Sequence, residues 1–97
     1  MNQPPRPPSD ARKDSLIEYP CAFPIVVMGE NVNGLVQAVT FVAEQFDPQF
    51  DPSTIELKDS KNGKYLGVTI TINATSREQL DEIYRTLTSH PMVKVVL

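Results

Sequence analysis

Ninety-seven residues with 40% apolar content suffice for one small domain around one core. A net charge of −3 with 22% charged residues argues against holding phosphate backbones, and no apolar run approaches the roughly 18 to 20 residues that span a bilayer, so neither nucleic acid nor membrane is expected as a partner. The single cysteine, Cys21, has no internal disulfide partner and the N-terminal MNQPPRPPSDARKDS lacks the apolar stretch of a secretory signal, so the cytoplasm is the expected compartment.

Residues 1–15 contain Pro4, Pro5, Pro7 and Pro8 and almost nothing apolar. Such a segment buries too little surface to offset its ordering entropy, so the sequence predicts a disordered proline-rich tail followed by a domain over 16–97. Its Pro-Pro-Arg-Pro-Pro run suits polyproline II, a conformation that docks on partners but also serves in a plain solvated tail. Leu16-Ile17-Glu18-Tyr19-Pro20 gathers three large apolar side chains and is expected to pack as a strap on the domain edge.

Phe23 to Met28 is rich in β-formers and stops at Gly29, with Pro24, which has no N–H, expected at the strand's start. From Val32 the period changes: Val32, Leu35, Val36, Val39, Val42, Ala43 and Phe46 form one stripe of a helix. Asn31 or Asn33 is expected to cap it, and Asp47-Pro48 to end it. Thr54 to Lys58 alternates as a strand with Ile55 and Leu57 inward. Asp59 to Gly63 is a turn, with Asn62-Gly63 supplying positive φ.

Residues 65–72 alternate strictly. Leu66, Val68, Ile70 and Ile72 face one side; Tyr65, Gly67, Thr69 and Thr71 face the other. Thr75-Ser76-Arg77-Glu78 fits a capping box, and Leu80, Ile83, Tyr84 and Leu87 are the buried stripe of a second helix. Ser89-His90-Pro91 breaks it, and Met92 to Leu97 is a closing strand with Lys94 and Val96 outward.

The order β-α-β-β-α-β predicts an α+β, ferredoxin-like two-layer sandwich: a four-stranded antiparallel sheet of order 4-1-3-2 with both helices on one face. The blocks Val27-Met28-Gly29, Gly63-Lys64-Tyr65, Val68 to Thr75 and Met92 to Leu97 resemble the YbeD-like family of small bacterial proteins over residues 14–97. The resemblance implies a fold similar to ACT domains, small regulatory modules of many amino-acid-metabolism enzymes, and it brings no catalytic residues. ACT domains carry a loop of the pattern Asp-x-Pro-Gly-x-Leu-x-x-Val. Asn31 to Val39 keeps its glycine at Gly34 and apolar residues at Leu35 and Val39, while Asn31 and Asn33 replace the aspartate and proline.

Chemistry is sparse. Cys21 lies between Pro20 and Ala22 with no cation nearby in sequence to activate it as a nucleophile, and His90 sits in a helix exit where it meets the last carbonyls. Asp47, Asp51 and Asp59 lie in turns without the spacing of a metal site. No cofactor, metal or enzymatic activity is expected. The strand order is shared with the RNA-recognition motif, but the outward Val26, Met28, Thr69 and Thr71 cannot stack bases. Two candidate sites remain. A protein partner or a second copy would use an interaction face of Val26, Met28, Thr69, Thr71 and Val96. A small, amino-acid-like metabolite would use the strand 1–helix 1 loop, at Gly29, Asn31, Gly34 and Leu35.

Overall fold

The structure, a computed structural model, describes residues 17–97; the expected tail over 1–15 and the first strap residue, Leu16, lie outside the described residues. In chain order the elements are β1 (Cys21–Glu30), α1 (Asn33–Phe46), β2 (Glu56–Asp59), β3 (Tyr65–Ala74), α2 (Arg77–Thr88) and β4 (Val93–Val96), with a 3-10 turn, Pro52–Thr54, ahead of β2. The sheet runs β2-β3-β1-β4 with every neighbour antiparallel. This is the ferredoxin-like order, the expected 4-1-3-2 counted from the other edge.

Alternation builds the centre. β1 and β3 pair without a break from Cys21↔Ala74 to Glu30↔Tyr65. Every second residue must then face the helices, and Ile25, Val27, Val68, Ile70 and Ile72 are fully buried there. The helices present Leu35, Val39, Val42 and Ala43 from α1 and Leu80, Ile83 and Leu87 from α2. Tyr19 of the strap packs against this core. Pro24 lies inside β1 rather than at its start. Val26 exchanges both backbone hydrogen bonds with Leu97, so the even residues of β1 point toward β4. Pro24 therefore aims its nitrogen past the end of β4, where no ladder donor is lost.

The local signals shift by a residue or two from their expected places. Val32 is the α1 N-cap, 42% exposed and without a side-chain bond, so it leaves the buried stripe. Asn31 instead donates its amide to Gly63 O at 2.8 Å and to Asp59 Oδ1 at 3.3 Å, clamping the β2–β3 hairpin. In that hairpin only Gly63 has positive φ (75°), while Asn62 Oδ1 accepts from Lys64 N–H. The α2 cap is Ser76, not Thr75: Ser76 Oγ accepts from Gln79 N–H at 3.0 Å, and Gln79 Oε1 accepts from Thr75 N–H at 2.8 Å. Strand β2 begins at Glu56, because Asp51 caps the 3-10 turn through Ser53 N–H. Leu57 is in register with Val68 on the helix side yet 56% exposed, since the helices cover β1, β3 and β4.

Asp47 does more than end α1. It is buried, and its carboxylate accepts from Gln49 N–H at 3.1 Å and from Asn73 N–H at 3.0 Å. The second bond satisfies a β3 donor beyond the reach of short β2. Asp47→Ala should lower stability by about 1.5–3 kcal/mol, the usual worth of a hydrogen bond to a charged group, measured by urea unfolding. Ile70→Ala should cost about 2–5 kcal/mol through lost transfer energy and a cavity. Thr71→Ala, exposed and facing the other way, should cost far less in the same assay, and equal losses would refute the facing of β3.

Candidate functional site

The loop from β1 to α1 is largely spent on packing. Leu35 is fully buried, and Gly29 is buried with its missing side chain turned to the interior. A Cβ on Gly29 would overlap the Met92 carbonyl oxygen and lie 2.9 Å from Leu35 Cδ1. At Gly34 a Cβ would meet only the Met92 side chain, Cε at 3.1 Å and Sδ at 3.5 Å. Neither Gly29 nor Leu35 can face a ligand, which corrects two of the four loop candidates. Asn31 is exposed but engaged with the hairpin. Beside the loop lies an open depression lined by Glu30, Asn31, Val32, Lys64, Tyr65 and Lys94. Its charges are partly matched already: Lys94 Nζ is 3.6 Å from Glu30 Oε2, and Lys64 Nζ stands 5.6 Å from the Tyr65 ring centre.

The open sheet face is a second surface. Val26 and Met28 point outward from β1, in register with Thr69 and Gly67, and Thr71 is paired with Pro24. Val96 does not join them. It is opposite Val27 and packs against the core, while Val95 is opposite Met28. The cause is a bulge: Gly29 pairs with Val93, leaving Lys94 as the extra residue of β4. Lys94 and Val95 thus share the open side, where Lys94 reaches Glu30. Leu97, opposite Val26, is outward as well. Val95 is 47% and Leu97 67% exposed.

Next to this apolar row the face dips. A depression of about 410 Å³ is lined by Val26, Met28, Lys58, Asp59, Gly67 and Thr69, among others. It exists because Gly67 has no side chain and the Met28 thioether lies across it, Sδ 3.3 Å from where a Cβ would stand. Gly67, Val95 and Leu97 were the residues sequence reasoning missed. Gly67 was legible as an outward glycine in a strand; the bulge had no signal, because Val93-Lys94-Val95-Val96-Leu97 does not alternate.

The remaining chemistry is structural. Cys21 opens β1 at one end of the sheet, and His90 precedes β4 at the other, so no thiol–imidazole pair forms. His90 Nδ1 accepts from Met92 N–H at 3.3 Å. The Ser53 hydroxyl and then its N–H hold the Asp51 carboxyl below its ordinary range, and burial pushes the Tyr84 phenol up. Among the described residues no cluster of three or more His, Cys, Asp or Glu could hold a metal, and no helix is long and apolar enough to cross a membrane.

A four-stranded antiparallel sheet with two helices on one face and, among the described residues, none on the other defines an ACT-like, ferredoxin-like fold. Solved structures that share it include the following two. The ACT domain from the GTP pyrophosphokinase of Chlorobium tepidum superposes with a TM-score of 0.62 at 23% identity, covering 79% of this chain and 97% of that one. Protein HP0495 from H. pylori superposes with a TM-score of 0.68 at 21% identity, covering 97% and 98%. The chain belongs to the family described as Protein of unknown function (DUF493), which matches residues 14–97 and is in keeping with the YbeD-like resemblance. Relatives include a UPF0250 protein of Leptothrix cholodnii, 58% identical over 89% of this chain and 94% of its own length. A UPF0250 protein of Bordetella pertussis is 56% identical over 88% and 93%.

The two loop glycines separate packing from propensity. Gly29→Ala should destabilise by at least the about 1–3 kcal/mol of an overpacked core, because a backbone oxygen stands in the way. Gly34→Ala should be near neutral, since the flexible Met92 tip yields and alanine favours the helix by up to about 1 kcal/mol. Urea unfolding of both decides it.

Proposed function

We propose that this protein is a non-catalytic regulatory or protein-interaction module that acts through its open sheet face. One observation carries the reading: Val26, Met28, Val95 and Leu97 form an apolar patch on the face that no helix of the described residues covers, beside the depression at Gly67. A solvated antiparallel face is usually polar, so such a row favours burial against another protein. The shared fold with an ACT domain of a GTP pyrophosphokinase, a module carried by an enzyme, supports a regulatory role. A second reading, a domain sensing a small metabolite at the loop, is favoured by the depression holding Lys64, Lys94 and Asn31. It would show as a ligand-dependent rise in melting temperature.

Met28→Asp tests the first reading. A carboxylate there stays hydrated on a free face but loses its water in an interface. Used as bait in a bacterial lysate, the wild type should retain proteins that the variant, with an unchanged circular-dichroism melt, releases. Identical retention by both would overturn the open-face reading and leave the loop as the better site.

A further inference from the structure

The open face carries a protrusion and a depression at the same height. Met28 is in register with Gly67 on one side and with Val95 on the other, so these three residues form one row across β3, β1 and β4. Thr69, Val26 and Leu97 form the next such row. In the first row the β4 end rises as half-exposed Val95 and the β3 end sinks at Gly67. Strand β1 lies midway between them.

That arrangement is self-complementary. A two-fold rotation about an axis running along β1, just above the face, carries β4 of one copy over β3 of another without sliding it along the strands. Each Val95 then stands over the other copy's Gly67, and each Leu97 over the other's Thr69. We infer that the open face is the interface of a two-fold dimer of this chain, with the sheets stacked face to face about β1 and Val95 of each copy seated in the Gly67 depression of the other. This deepens the interaction reading above, on which it rests, by naming the partner.

The rest of the face agrees. Both contacts are made twice, which closes the assembly at two copies. Sheets stack with strands nearly aligned, as an axis along β1 requires. Glu56 is on β2, which overhangs past the other copy's β4, so it keeps its water, while Lys58, opposite Gly67, lines the depression that receives Val95. Glu30 approaches the axis already paired with its own Lys94. Strands β1 and β3 with ten residues each and β4 with four, at about 3.3 Å per residue and about 4.8 Å between strands, give a footprint of only about 380 Å² per copy, with β2 outside it. Standard stable interfaces use about 800 Å² per partner, so the dimer dissociates on dilution.

The test is sedimentation velocity on the full chain, over a concentration range reaching millimolar, with a melt for each variant. The wild type should dimerise. Val95→Asp, which charges the protrusion, and Gly67→Val, which fills the depression, should be folded monomers. Leu57→Asp, on the other side of the sheet, should dimerise as the wild type does. A mixture of isotope-labelled and unlabelled copies should show intermolecular contacts from the methyls of Val95 or Leu97 to that of Thr69. Within one copy those pairs straddle β1 by roughly 10 Å, two strand spacings, so the signal reports the second copy. A wild type monomeric at the highest concentration overturns the dimer, while the Met28→Asp bait still judges the broader reading. A dimer that survives both variants, or one without the methyl contacts, overturns it as well. Should a variant unfold, the methyl contacts in the wild type decide.

Discussion

Ten consecutive backbone pairs between β1 and β3 constrain everything else in this molecule. In such a ladder the side chains alternate with period two, so one face assignment fixes all the others, and a slip by one residue would turn Ile25, Val27, Val68, Ile70 and Ile72 into water. Burying that many aliphatic side chains stabilises by about 1.5–3 kcal/mol each relative to leaving them exposed. Both helices are then obliged to lie on the same side, because that is where the aliphatic face is. Among the described residues the opposite face is left without a covering helix as a direct consequence of the topology.

The chain needs separate devices where the central ladder outruns its neighbours. Strands β2 and β4 have four residues each against ten in the centre. Asp47 closes the exposed flank of β3 by accepting from Asn73 N–H. Gln79 donates to Phe46 O at 3.1 Å and Asn73 O at 3.4 Å, tying the end of α1, the end of β3 and the start of α2 together. At the other end Asn31 holds the hairpin tip, and Gly29 admits the Met92 carbonyl against the sheet. Polar residues in the turns are therefore engaged in closing the fold.

The fold was legible wherever local pattern and burial coincide. Alternation in 65–72 and the three-and-four spacing of 35–43 and 80–87 each report a face that is buried, so the strands, helices and their order could be read directly. The details that escaped depend on partners far away in sequence. Asn31 looks like a cap until Gly63 and Asp59 are brought beside it. Thr75 and Ser76 are adjacent hydroxyls, and only the entry angle of α2 chooses between them. Leu57 alternates as an inward residue, but periodicity does not say how far the helices extend over β2. The candidate site suffered most at β4, where an aliphatic run with one lysine fits either register. The bulge at Lys94 exchanged Val96 for Val95 on the open face.

Two glycines on the central strands differ in what the fold asks of them. Gly29 is demanded by the fold itself, since a backbone oxygen occupies the place of its side chain. Gly67 is not. A Cβ there would press on the Met28 sulfur at 3.3 Å, the mobile end of a flexible side chain, and touch Lys58 O at an ordinary 3.5 Å. Its φ is not positive, so the backbone also accepts other residues. Glycine inside a strand costs about 0.5–1 kcal/mol relative to alanine, and here internal packing returns little of it. What the glycine does is let Met28 lie flat and keep a hollow in the middle of an apolar surface. The proposed dimer gives that hollow an occupant, the protruding valine of a second copy, which lies two strands away within its own sheet.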